Sequence, residues 1–264
     1  MLRTTSLALL SALSLVLSAC GGEGGDSGGG GNGNGGAGNS TASTAAGIST
    51  TAATTTGTGL DPSCADPVDH TGDGTFYDAD GSGNCSFDPT GDLMVGAMNH
   101  TEYADSAVCG ACVHIVGPSG EVTVKIVDQC PECKVGDIDL SPEAFSLFAD
   151  KSLGRVTIHW KYVPCDVAGP IVYHFKEGSN QWWTAVQIRS SRYAIAKLEF
   201  KKDGQYVAVN RLDYNYFVAD SGMGPGPYSF RVTDVKGQVV EDTGIPFIEA
   251  GDAAGAAQLP VCAP

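Results

Sequence analysis

Positive charge is scarce in this sequence. Lys and Arg together number 15 against 30 Asp and Glu, for a formal net charge of −15. A phosphate backbone rewards clustered cations, so this balance argues against a nucleic-acid partner. It argues equally against electrostatic adsorption to an anionic membrane surface or to pectin. Long apolar runs are also missing. The stretch from about Leu7 to Leu17 is too short to span a bilayer. A hydrophobic share of 42% supplies real cores but not a multi-spanning membrane protein. Helical signals are nearly absent. Only 141–148 reads as helix, with Ser141 as cap, Pro142 at the first helical position, and Phe145 and Phe148 on one face. His100 and His114 have neither a paired nucleophile nor a spaced partner, so both read as structural.

What is present falls into blocks. Residues 1–20 carry Arg3 and an apolar core, then Leu17-Ser18-Ala19-Cys20. This pattern resembles a lipoprotein signal, with cleavage before Cys20 and lipidation of its thiol. Residues 21–60 are almost entirely Gly, Asn, Ser, Thr and Ala, without an aromatic residue. Such a segment has too little surface to bury against its ordering entropy, so it reads as a flexible tether. The folded part divides by charge. Residues 64–166 hold 17 acidic and 5 basic residues, whereas 167–264 hold 10 acidic and 9 basic. Two units are therefore expected, at 61–166 and 167–264.

Setting Cys20 aside leaves Cys64, Cys85, Cys109, Cys112, Cys130, Cys133, Cys165 and Cys262. An even number in an exported chain favours disulfides, with the pairing left open. The rival is zinc, held by Cys109-Gly-Ala-Cys112 and Cys130-Pro-Glu-Cys133. The oxidising compartment weighs against it, so no metal and no cofactor are expected.

Short apolar runs alternate with turn signals in both units, at 93–98, 112–116, 122–127 and 156–160, then at 171–175, 183–189, 195–200, 206–209 and 228–232. Several alternate with period two, and the whole reads as all-β. The second unit reads as a β-sandwich.

Specific motifs carry a resemblance. Gly72-Asp73-Gly74-Thr75-Phe76-Tyr77, Gly83-Asn84-Cys85-Ser86-Phe87, Val127-Asp128-Gln129-Cys130-Pro131-Glu132-Cys133 and Asp139-Leu140-Ser141-Pro142 occur in that order. They are followed by Phe175-Lys176-Glu177-Gly178-Ser179-Asn180-Gln181-Trp182-Trp183, Lys197-Leu198-Glu199-Phe200 and Asp213-Tyr214-Asn215-Tyr216. Together they resemble the bacterial expansins. The resemblance implies a six-stranded double-psi β-barrel followed by an immunoglobulin-like β-sandwich. It implies a protein that binds cellulose and associated matrix polysaccharide and loosens it without hydrolysis, acting as a monomer at the cell surface or outside the cell. Thr75, Asp128 and Asp139 match the family's groove residues. Trp182, Trp183 and Tyr214 match its flat aromatic row, with Lys176 as a nearby polar contact. Bacterial members commonly carry a Tyr where this chain has Cys130, so a groove aromatic is not expected there.

Glycoside hydrolysis needs an acid and a second carboxylate as base or nucleophile. Asp139 suits the acid, and a groove position against the helix is expected to raise its pKa. No second carboxylate is placed by a motif. Asp105, Glu132 and Asp137 read as solvated surface acids. An endoglucanase or transglycosylase using Asp139, and a pure cellulose adhesin, are the competing readings. Adjacent residues of a regular strand point to opposite faces, so Trp182 and Trp183 can share a face only where the strand is irregular or just beginning. Tyr216 and Phe217 are expected in the core.

Overall fold

The computed structural model describes residues 66–261, all within one compact unit, Thr56–Pro264. The signal at 1–20, the tether at 21–60, and Cys20, Cys64 and Cys262 lie outside the described residues.

Six strands close into a barrel: β1 His70–Phe76, β2 Val95–Asn99, β3 Cys112–Val116, β4 Glu121–Cys130, β5 Ile138–Leu140 and β6 Val156–Val163. Their order around the ring is β1-β5-β2-β4-β3-β6. Two pairings are parallel, β1 with β5 and β2 with β4, and the rest are antiparallel. This is the double-psi barrel. Its long strand β4 alternates as a half-buried strand should, sending Val122, Val124 and Ile126 inward. They meet Ile115, Ile138, Leu140, Ile158 and Trp160 in one core.

The expected helix is shorter than its sequence signal. Helix α2 spans Pro142–Phe145, with the Ser141 hydroxyl accepting from Ala144 N at 3.0 Å. The chain then continues as a turn that still buries Phe145 and Phe148 completely. Gly117 explains the fit beneath Phe148. A Cβ at Gly117 would stand 2.2 Å from the ring, so only glycine lets the β3–β4 turn close over it. A second one-turn helix, α1, spans His100–Tyr103.

Eight further strands form one antiparallel sheet: β7 Val172–Phe175, β8 Thr184–Arg189, β9 Ile195–Lys202, β10 Gln205–Arg211, β11 Phe217–Ala219, β12 Tyr228–Asp234, β13 Val239–Ile245 and β14 Asp252–Ala254. The order is β13-β12-β9-β10-β11-β8-β7-β14. Four strands separate β7 from β12 in that order, yet Tyr173 of β7 stacks on Phe230 of β12 at 4.8 Å. The Tyr173 hydroxyl also donates to Asp242 of β13 at 2.9 Å. The sheet therefore folds over on itself as a two-layer sandwich, with Phe175, Val186, Leu198, Phe217 and Val232 between the layers.

Three disulfides pin the described residues: Cys85–Cys109, Cys112–Cys165 and Cys130–Cys133. They settle the pairing of these six cysteines and take up all four thiols of the CxxC pairs that zinc would need.

Candidate functional site

The parallel pair β1–β5 builds the first part of the site. Its register sets Thr75 directly beside Asp139, with Ala97 of β2 on the other side. The Thr75 hydroxyl donates to Asp139 Oδ1 at 2.5 Å. Backbone proximity makes this register possible. A Cβ on Gly72 would lie 2.2 Å from the Gly136 carbonyl carbon, so the two chains touch where any side chain would part them. From that contact, period two carries Asp73 and Thr75 along β1 opposite Asp137 and Asp139.

The result is an open cleft of about 300 Å³ lined by Asp73, Thr75, Glu132, Asp137, Asp139 and Arg155, with the Cys130–Cys133 disulfide along one edge. A disulfide thus stands where an aromatic was not expected. Asp137 is a correction to the sequence reading. It is buried, not solvated, and accepts from Asp73 N at 2.8 Å and Lys134 N at 3.1 Å. These are backbone donors that composition does not reveal. Asp73 pairs with Arg155 at 3.0 Å. Glu132 is exposed, as expected of a surface acid, but it belongs to the cleft and has no ion-pair partner among the described residues. Asp105 is also exposed, away from this cleft.

Burial pushes the Asp139 carboxyl above the ordinary carboxylate range; the Thr75 hydrogen bond opposes this, and the charge of Glu132 adds to it. Asp139 is thus biased toward the form that can donate a proton. Asp128 is held differently. Its Oδ1 accepts from Asn84 N at 2.7 Å and Gln129 N at 2.8 Å, and its Oδ2 from the Tyr77 hydroxyl at 3.3 Å. Gly83 permits the loop to approach, since a Cβ there would stand 2.4 Å from the Asp128 side chain. With these partners Asp128 is a hydrogen-bonded acceptor. His100 is exposed and pairs with the Gln129 side chain next to Asp128, whereas His114 bonds Thr123 on the β3–β4 ladder.

The second part lies on the outer face of the sandwich. A tight turn precedes β8: Asn180 N donates to Trp183 O at 2.7 Å, and Asn180 Oδ1 accepts from Trp182 N and Trp183 N at 2.9 and 3.1 Å. The two tryptophans sit in this turn, where strand alternation has not begun. Trp182 is 71% exposed, the most open large apolar side chain among the described residues. Trp183 and Tyr214 are half-buried against a small cluster of Ala185, Tyr216 and Val218. Tyr216 is buried as expected, but beneath this outer face; Phe217 is the one in the inner core. Lys176 Nζ lies 5.5 Å from the Tyr216 ring centroid. The turn 212–216 presents Tyr214, whose ring lies 5.9 Å from that of Tyr216.

Barrel and outer face are bonded together. Gln187 and Asn215 donate to the Cys85 carbonyl at 2.9 and 3.1 Å. The Tyr103 hydroxyl and Asn84 Nδ2 donate to the Asp213 carbonyl at 2.9 and 3.1 Å. Arg189 pairs with Asp88 at 2.6 Å. Asn84 therefore joins Asp128, which does not line the cleft of Thr75 and Asp139, to the residue preceding Tyr214.

No protein-family model matches the chain. A curated relative, Expansin-YoaJ of Bacillus subtilis, is 36% identical over 156 residues, covering 58% of this chain and 67% of that protein. Expansin-like protein 1 of Dictyostelium discoideum is 29% identical over 191 residues, covering 67% of this chain and 66% of that one. Among solved structures, the apo expansin of Clavibacter michiganensis matches with a TM-score of 0.68 at 30% identity, covering 72% of this chain and 98% of that one. An aspartate-to-asparagine mutant of the same expansin, solved in complex with cellohexaose, matches equally well.

Proposed function

The chain belongs to the expansin family, and from that premise we propose that it binds cellulose and loosens cellulose-containing walls without cutting the glucan. The observation that carries the proposal is the exposed Trp182 beside Trp183 and Tyr214, on a face bonded through Asp213 and Asn84 to Asp128 of the barrel that carries the Thr75–Asp139 pair. An exposed tryptophan offers a flat apolar ring, and the axial C–H groups of a pyranose offer a matching apolar face. The relative that holds cellohexaose supports this substrate class.

In this reading the sandwich, residues 167–264, holds the polysaccharide through Trp182, Trp183, Tyr214 and Lys176. The barrel, residues 61–166, engages a chain in the groove through Thr75, Asp128 and Asp139. A protonated Asp139 donates a hydrogen bond to a glucan oxygen and competes with the bonds between neighbouring chains. Asp128 accepts from a sugar hydroxyl in place of Tyr77. Segment 1–20 exports the protein, Cys20 carries the lipid, and 21–60 tethers a monomer at the cell surface or outer membrane. Three disulfides among the described residues support an oxidising, extracytoplasmic setting.

The test is pull-down on crystalline cellulose. Removing Trp182 is expected to weaken binding about five- to tenfold with an unchanged melting midpoint, because its ring has little packing to lose. Trp182→Ala binding like wild type would remove the aromatic face from the account.

Glu132 favours a second reading. It is the exposed, unpaired carboxylate of the cleft that holds Asp139, and an acid with a free carboxylate is the equipment of a glycosidase. Sugar release abolished by both Asp139→Ala and Glu132→Gln would establish that reading.

A further inference from the structure

We infer that the Cys130–Cys133 disulfide is a thiol-exchange site on the edge of the cleft, opened by small dithiols, and that its opening weakens glucan binding there. The effect on binding rests on the cleft being a glucan site, whereas the exchange chemistry stands without it. Access singles out this pair. Cys133 is half-buried, lines the open cleft with Asp139, and is flanked by exposed Pro131, Glu132, Lys134 and Val135. Cys85, Cys109, Cys112 and Cys165, which form the other two disulfides among the described residues, are all buried.

Connectivity separates them further. Cys112–Cys165 spans 53 residues and Cys85–Cys109 spans 24, so opening either frees a long segment of the barrel. Cys130–Cys133 spans 3 and closes only a turn. The barrel does not depend on that bond to stay closed.

Exchange begins with a thiolate attacking one sulfur of the pair. Cys130 is buried and Cys133 is not, so the attack falls on Cys133 Sγ. A new S–S bond forms there and the Cys130–Cys133 bond breaks. Cys130 Sγ leaves with the electron pair and takes a proton from solvent. The second thiol of the dithiol then attacks the mixed disulfide and expels Cys133, which is protonated in the same way. Both cysteines end reduced, and the dithiol ends oxidised as its cyclic disulfide. Lys134, next to Cys133 and part of the cleft, offers the incoming thiolate a cation among acidic neighbours.

The same turn bears on the groove. It carries Glu132, whose charge acts on Asp139. Lys134 N donates to Asp137 Oδ2 at 3.1 Å and ties the turn to the wall of the cleft. With the disulfide open, the ends of the turn are joined only by the hydrogen bond from Cys133 N to Cys130 O at 3.3 Å. Glu132 and Lys134 then lose their fixed places in the cleft that holds Thr75 and Asp139.

The experiment exposes the folded full chain to dithiothreitol for graded times, blocks free thiols with iodoacetamide, and identifies the labelled peptides by mass spectrometry. Cys130 and Cys133 are expected to label about tenfold faster than Cys85, Cys109, Cys112 and Cys165. Cellohexaose titrated calorimetrically into the selectively reduced chain is expected to bind about threefold more weakly, with recovery on reoxidation. Cys130→Ser/Cys133→Ser is expected to bind like the reduced chain and to ignore dithiothreitol; where that variant does not fold, the reduced wild type carries the comparison. Labelling of all three pairs at one rate, or selective opening that leaves cellohexaose binding unchanged, overturns the inference. An oxidised wild type that binds neither cellohexaose nor cellulose overturns the proposed function instead, and the labelling rates still decide the exchange site.

Discussion

In the cleft, Asp139 accepts a hydrogen bond of 2.5 Å from the Thr75 hydroxyl. Burial raises its pKa, so folding favours the neutral acid. A raised folded value contributes stability below the unfolded pKa and loses it as pH rises through the folded one. Asp139→Asn is therefore expected to melt above wild type at neutral pH and to match it in strong acid, in scans across the acid range. A gap that does not narrow as pH falls would mean that Asp139 is not held toward its neutral form. At this scale the sequence was unevenly legible. Thr75, Asp128 and Asp139 are candidates by resemblance alone, because chain separations of dozens of residues say nothing about contact. Asp137 was misread because its partners are the N–H groups of Asp73 and Lys134, which leave no trace in residue type.

At the scale of elements, alternation identified the long strands and failed on the short ones. Strands β4 and β6 are apolar enough, and long enough, to show a period of two. Strand β1 reads His-Thr-Gly-Asp-Gly-Thr-Phe, and its glycines serve close backbone approach instead of burial. Strands β5, β11 and β14 have three residues each, too few for any period. The parallel β1–β5 pair that aligns the groove was therefore invisible to pattern. The disulfides act on the same scale. Cys112–Cys165 spans 53 residues and ties the end of β6 to the start of β3, whereas Cys130–Cys133 spans 3. Loop-closure entropy assigns about 4 kcal/mol to the first and about 2 kcal/mol to the second. Urea denaturation of the two double-Ala variants is expected to rank them in that order. The reverse order would show that native packing, not chain entropy, sets their worth.

At the scale of the whole molecule, charge and architecture divide the work. The chain carries a net −15, concentrated in the barrel half, while the sandwich half is nearly neutral. Cellulose is uncharged, and stacking does not depend on ionic strength, so cellulose pull-down is expected to change little between low and high salt. Steep salt dependence would mean that charge, not the aromatic face, governs attachment. Gln187, Asn215, Tyr103 and Asn84 bond the two halves across their junction.

The account stands on loosening without cleavage, and one paired measurement tests it most directly. Weakening of cellulose paper and release of reducing sugar are followed together for wild type and Asp139→Ala. Wild type is expected to weaken the paper with no sugar release above a protein-free control, and Asp139→Ala to lose the weakening. Sugar release by wild type that disappears in Asp139→Ala would contradict the account and make the cleft an enzyme's active site.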